Sequence, residues 1–157
     1  MGKTLGFLVI GLVAFVPALW AAETPYDFVS CFDYKVTPLE STADFTAVGL
    51  EGFAIAASST TKEWENATQH SVSTNWSMGA RVGGKGLTKT LDSAGNSVVG
   101  ETEVTAAGEG TFVFLSGTGK YKGIQGGGFY KRVGTGKPIV AGTLQVCTRE
   151  WGKYTLP

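Results

Sequence analysis

After residue 25, hydrophobic and polar side chains alternate with a period of two along nearly the whole chain. This is the periodicity of strands, whose successive side chains point to opposite faces. Tyr26, Phe28, Phe32, Tyr34 and Val36 share one face, with Asp27, Asp33 and Lys35 on the other. Between residues 70 and 82 the alternation is clearest. There Val72, Trp76, Met78, Ala80 and Val82 fall on one side, and Ser71, Ser73, Asn75, Ser77 and Arg81 on the other. That pattern predicts a half-buried antiparallel strand. Further strands are predicted over 44–49, 52–59, 85–91, 97–105, 110–116, 128–133 and 139–149. Turn clusters separate them at 92–96, 117–120, 126–128 and 134–138. A short helical turn around Thr61–Ala67 is the only competitor.

Eight or nine short strands without a helical stretch predict an all-β barrel or sandwich. Glycines inside the predicted strands, among them Gly79, Gly86, Gly100 and Gly142, favour the barrel, because they permit the bends that closure needs. Composition adds that the chain folds: 43% of residues are hydrophobic and 11% aromatic. The 13 Lys and Arg balance 13 Asp and Glu, which excludes a basic footprint for nucleic acid or an anionic membrane.

Residues 1–21 read differently. Lys3 precedes an uncharged apolar run from Leu5 to Val16, followed by Pro17, Ala18, Ala21 and Ala22. This arrangement predicts a secretory signal peptide cleaved near Ala21–Ala22. The alternative, an uncleaved anchor, asks for an apolar run of roughly 20 residues. The expected product, residues 22–157, is a single soluble domain, secreted or periplasmic and off the membrane. Two cysteines remain, Cys31 and Cys147. Export permits a disulfide between them, and first and last strands are often neighbours in a closed barrel. Two separate buried thiols are the alternative.

The stretch from Gly108 to Tyr130 contains Ser116-Gly-Thr-Gly-Lys-Tyr-Lys-Gly123, then a glycine cluster at 126–128 and another strand. It resembles the hairpin of the allene-oxide-cyclase-like and dirigent-like barrels, in which a Gly-Thr-Gly-Lys/Arg-Phe/Tyr turn leads into a glycine-rich strand. It is also similar to small exported bacterial proteins of unknown function with the same hairpin and a late Gly-Lys-Pro-Ile, here Gly136–Ile139. The match covers residues 108 to 142. It implies a single antiparallel eight-stranded, calycin-like barrel with an apolar interior, capable of forming a homo-oligomer. No catalytic residue is carried over by motif. Gly117, Gly119 and Gly123 match as turn positions that need positive φ or close strand approach.

Few residues carry chemistry. Gly117-Thr-Gly-Lys120 is not a phosphate loop, because Phe114 stands at the required first glycine and Tyr121 follows the lysine. One histidine and two distant cysteines make no metal site, and no cofactor motif is present. His70 starts the 70–82 strand on its apolar face, as a packed or rim residue or a solitary base. Glu101 and Glu103 project to one face of a strand, as solvated charges or a carboxylate pair. His70, Glu101 and Glu103 are the candidates for a proton relay. Trp64, Trp76 and Tyr121 are the candidates for contacting a ligand, Trp64 and Tyr121 as loop aromatics lining a mouth.

These observations predict an exported barrel that binds a small apolar or aromatic ligand or acts as an interaction module. The rival from another class is an isomerase or cyclase with a relay inside the barrel. A structural, oligomer-forming barrel with a filled interior is the third reading.

Overall fold

The computed structural model describes residues 22–157. The predicted signal peptide, residues 1–21, lies outside the described residues. Eight strands follow one another: β1 (Thr24–Ser41), β2 (Phe45–Ser59), β3 (Thr68–Met78), β4 (Arg81–Leu91), β5 (Ser97–Ala106), β6 (Glu109–Gly117), β7 (Gln125–Gly136) and β8 (Thr143–Thr155). Each pairs antiparallel with the next and β8 pairs with β1, closing the barrel. Short 3-10 turns at Lys62–Trp64 and Gly119–Tyr121 are the only helical elements among the described residues.

Four predicted boundaries move. The expected turn at 126–128 lies inside β7, which runs from Gln125 to Gly136 and not over 128–133. Segments 44–49 and 52–59 are one continuous strand, β2. The predicted strand 70–82 breaks at Gly79, whose positive φ of 58° makes the tight β3–β4 turn, so Ala80 and Val82 lie beyond it. At the end of the chain, β8 starts only at Thr143 and runs six residues past the predicted stop at 149.

Closure decides which face of each strand is inside, and the barrel interior is not uniformly apolar. On β1, Tyr26, Phe28 and Phe32 are buried, as the pattern predicts. On β3 the order is inverted: Gln69 and Ser71 are buried, while Val72 is 50% and Met78 43% exposed. Thr90 and Gly86 of β4 continue this polar inner face, and Leu87 turns outward. The apolar interior that the family resemblance implies therefore exists on one side only. The ladder imposes this arrangement, because a strand side chain has two choices of face and its neighbours' register makes the choice.

One end of the barrel is sealed. Trp64 and Tyr121, one from each 3-10 turn, are both 1% exposed and pack with Tyr26, Phe28, Ala67, Phe112, Ile124 and Tyr154. Neighbouring loops are tied beneath this floor. The Asp92 carboxylate accepts hydrogen bonds from the amides of Ala94 (3.0 Å) and Asn96 (2.8 Å), and Lys120 Nζ reaches it from the β6–β7 loop at 3.0 Å. The seam is also tied covalently, for Cys31 of β1 faces Cys147 of β8 in register and the two form a disulfide.

Candidate functional site

Above the Trp64 floor the barrel is hollow. A cavity of about 150 Å³ runs from Trp64 toward the opposite rim, where Asn75, Val104, Gly108, Arg132 and Leu144 border it. Its size matches apolar cavities known to admit a benzene-sized guest. Glycine makes room for its walls. A Cβ on Gly52 would overlap the Tyr34 ring, and one on Gly110 would overlap the Tyr130 ring, so each phenol lies flat across a neighbouring strand.

The lining has two characters. Phe28, Phe32, Phe112, Phe114, Leu144 and Val146 supply an apolar wall from β1, β6 and β8. Ser71, Ser73, Asn75, Thr88, Thr90 and Thr102 supply a hydroxyl- and amide-rich wall from β3, β4 and β5. Unused hydrogen-bonding capacity remains on and beside this wall: Asn75 Oδ1 on it and Gln69 Oε1 beside it on β3 are buried without a partner. Gln69 spends only its amide nitrogen, donating to Thr90 Oγ1 at 3.2 Å.

One carboxyl faces this space. Glu150 stands on β8 between Phe28 of β1 and Tyr130 of β7. Burial pushes it up to about 7 from 4.5, while Gln69 and Thr148 beside it favour the charged form and limit the rise. Desolvation also lifts the Tyr34 and Tyr130 phenols to about 12; Glu150 adds to both, Ser71 opposes the first and Arg132 the second. A carboxyl poised near neutrality beside two neutral phenols can accept or donate a proton at physiological pH.

Most of the residues singled out in the sequence lie elsewhere. His70 is on the outer face, stacked on Phe53 and 3.1 Å from Glu51. Glu101 and Glu103 also point outward, toward Lys85 at 3.7 and 4.0 Å. None of the three lines the cavity, so the geometry does not support a relay built on them inside the barrel. Trp76 lies across Gly83 outside the barrel. Trp64 does line the cavity, at its floor. Tyr121 is buried beneath it, so these two loop aromatics close the end of the barrel opposite the rim. Gly119 and Gly123 have positive φ (56° and 81°), and a Cβ on Gly117 would overlap the Tyr121 carbonyl.

The pattern held a signal for Glu150. Leu144, Val146, Thr148, Glu150, Gly152 and Tyr154 are alternate residues, so an acid shares a face with core side chains. Ending the last strand at residue 149 hides it.

No protein-family model matches the chain and no curated protein matches it. Solved structures do share its architecture. One pterocarpan synthase dirigent protein superposes with a TM-score of 0.53 at 10% identity, covering 96% of this chain and all of its own. A second superposes with a TM-score of 0.51 at 10% identity, covering 85% of this chain and 95% of its own. The fold is that of the dirigent-like barrels.

Proposed function

We propose that this dirigent-like barrel binds one small molecule with an aromatic or apolar body and at least one polar group. The observation that carries the reading is the divided cavity, closed at one end by Trp64: an aromatic wall that also bears the one carboxyl lining it among the described residues, and a hydroxyl-rich wall opposite. Titration with a hydrophobic fluorescent dye tests it. Saturable binding at one site is expected, abolished in a Thr102→Trp variant whose indole fills the cavity while circular dichroism stays native. Absence of saturable binding by the wild type would overturn the reading.

A second reading is favoured by Glu150. In it the barrel steers a proton transfer within the bound molecule, as an isomerase or cyclase does, with Glu150 as acid or base and Tyr34 and Tyr130 holding an oxygen of the substrate. The likeness in fold to two proteins named pterocarpan synthases supports it. A turnover rate that follows a group titrating near pH 7, and its loss in Glu150→Gln, separate this reading from simple binding.

The location belongs to the same proposal. The Cys31–Cys147 disulfide is compatible with secretion or the periplasm. Homo-oligomers are the proposed macromolecular partner, supported by the exposed outer apolar residues Phe53, Ile55, Val72, Leu87, Val113 and Leu115. Sedimentation of residues 22–157 as a monomer at high concentration would remove it.

A further inference from the structure

The cavity wall carries two charged side chains, and they differ in depth. Glu150 is cross-strand from Tyr130, deep in the barrel. Arg132 follows Tyr130 by two residues on the same face of β7, roughly 7 Å nearer the rim. Its backbone amide donates to the Gly108 carbonyl at 2.7 Å, and its side chain folds over Gly108, where a Cβ would press on the guanidinium. That glycine, with φ of 78°, leaves the space the arginine occupies at the entrance. Among the described residues Arg132 joins no ion pair. Its neighbour Lys131, on the outer face, is paired with Glu109 at 2.7 Å.

We infer that the cavity selects a small aromatic carboxylate, ring inward, with the carboxylate held at the rim by Arg132. This deepens the binding reading above and rests on it. A guanidinium at the solvent-exposed edge of the cavity, beside Gly108, presents a planar, bidentate match to a carboxylate. Glu150 sets the orientation. Once ionised it repels an anion placed deep and accepts a hydrogen bond from a hydroxyl on the ring end; protonated, it donates to a carbonyl there. The aromatic wall of Phe28, Phe112 and Phe114 accepts the ring, and the volume of about 150 Å³ admits one ring, leaving the tail to extend toward the rim. A cationic ligand would meet Arg132 at the entrance and be repelled.

Calorimetric binding of 3-phenylpropanoate and of 3-phenylpropanamide, at pH 8 and low salt, tests the assignment. The wild type is expected to prefer the acid by about tenfold or more, the worth of one charge-assisted contact. Arg132→Gln removes the preference while still binding the amide, and Arg132→Lys keeps part of it. Lys131→Gln, which makes the same change of net charge on the outer face, leaves the preference intact. Equal binding of acid and amide by the wild type overturns the inference, as does equal loss in Lys131→Gln, which would reduce the effect to the general field of the protein. Failure of both compounds overturns it too. If the dye still binds then, the cavity reading survives; if the dye also fails, both fall together.

Discussion

Trp64 lies flat against Tyr121, ring centroids 5.1 Å apart and planes within 16°, and this pair from two separate loops closes one end of the barrel. The two rings are far apart in sequence, yet each is nearly inaccessible. Trp64→Ala is expected to cost about 3–5 kcal/mol, the range for emptying a large aromatic site in a core. Urea denaturation measures it. A loss below about 1 kcal/mol would mean that the floor contributes little to holding the barrel closed.

Glu150 predicts the neutral-pH behaviour of stability. Its folded pKa of about 7 lies above the value of 4.5 for a free carboxyl. The native state therefore holds its proton more tightly, and stability falls as pH rises from about 4.5 to about 7. Above that range the penalty for a buried charge is complete, on the order of 1–3 kcal/mol after discounting for water in the cavity. Glu150→Gln should abolish this component of the slope and be more stable than the wild type at pH 8. Thermal melts of both proteins between pH 4 and 8 check it, and parallel curves would contradict the assignment.

Asp92 predicts the opposite dependence at low pH. Desolvation alone would raise this buried carboxyl, but Lys120 and the side chain and amide of Asn96 outweigh it and hold the group at about 2. Its contribution is present above about pH 3.8 and is lost as pH falls toward 2. Asp92→Asn should remove roughly 2 kcal/mol at pH 7 and flatten the acid limb of the stability curve. Denaturant midpoints at pH 7 and pH 3 provide the comparison. An unchanged midpoint at pH 7 would show that Lys120 adds nothing to the loop anchor.

The disulfide joins residues 116 apart. Closing a loop of that length corresponds to roughly 4–5 kcal/mol of lost entropy in the unfolded chain. The Cys31→Ser, Cys147→Ser double variant should lose up to that amount yet still unfold cooperatively, since the β1–β8 ladder remains paired from Thr24 to Lys35. Two separate transitions in denaturant would mean that the bridge, and not the ladder, unites the first and last strands.

Val72 offers a test of the outer face. It sits on the exposed side of β3 opposite Leu87, so Val72→Ser should change monomer stability by less than about 0.5 kcal/mol. If the substitution also shifts sedimentation to a smaller species, this face is covered by a second copy. A loss above 2 kcal/mol without any change in size would contradict the outward placement.

The barrel itself was legible in the sequence. Alternation from Tyr26 to Tyr34, strand-length segments and glycine-bearing turns are local properties, set by the pleat and by backbone sterics. They predicted an all-β chain and allowed the Cys31–Cys147 pairing that closure brings about. The site was less legible. Glu101 and Glu103 stand out because a spacing of two puts them on one strand face, and His70 because it is the single histidine on an apolar strand face, yet all three face away from the cavity. Of the two charged groups on the cavity wall, Glu150 lies past the predicted end of the last strand, while Arg132 lies inside the predicted strand 128–133 and its inward face is set only by closure.

By itself the sequence determined the period of two, the positions of most turns and the aromatic supply for a core. Which side of each strand faces inward is a different kind of property. A strand with Val72 on one face and Ser71 on the other satisfies its own pleat in either orientation. Only closure of eight strands in a single register fixed that choice, turning Ser71 in and Val72 out, and bringing Tyr34, Tyr130, Arg132 and Glu150 around one cavity. The physical reason is that a one-residue slip exchanges the two faces completely, while the hydrogen bonds that forbid the slip come from neighbouring strands and not from the strand itself.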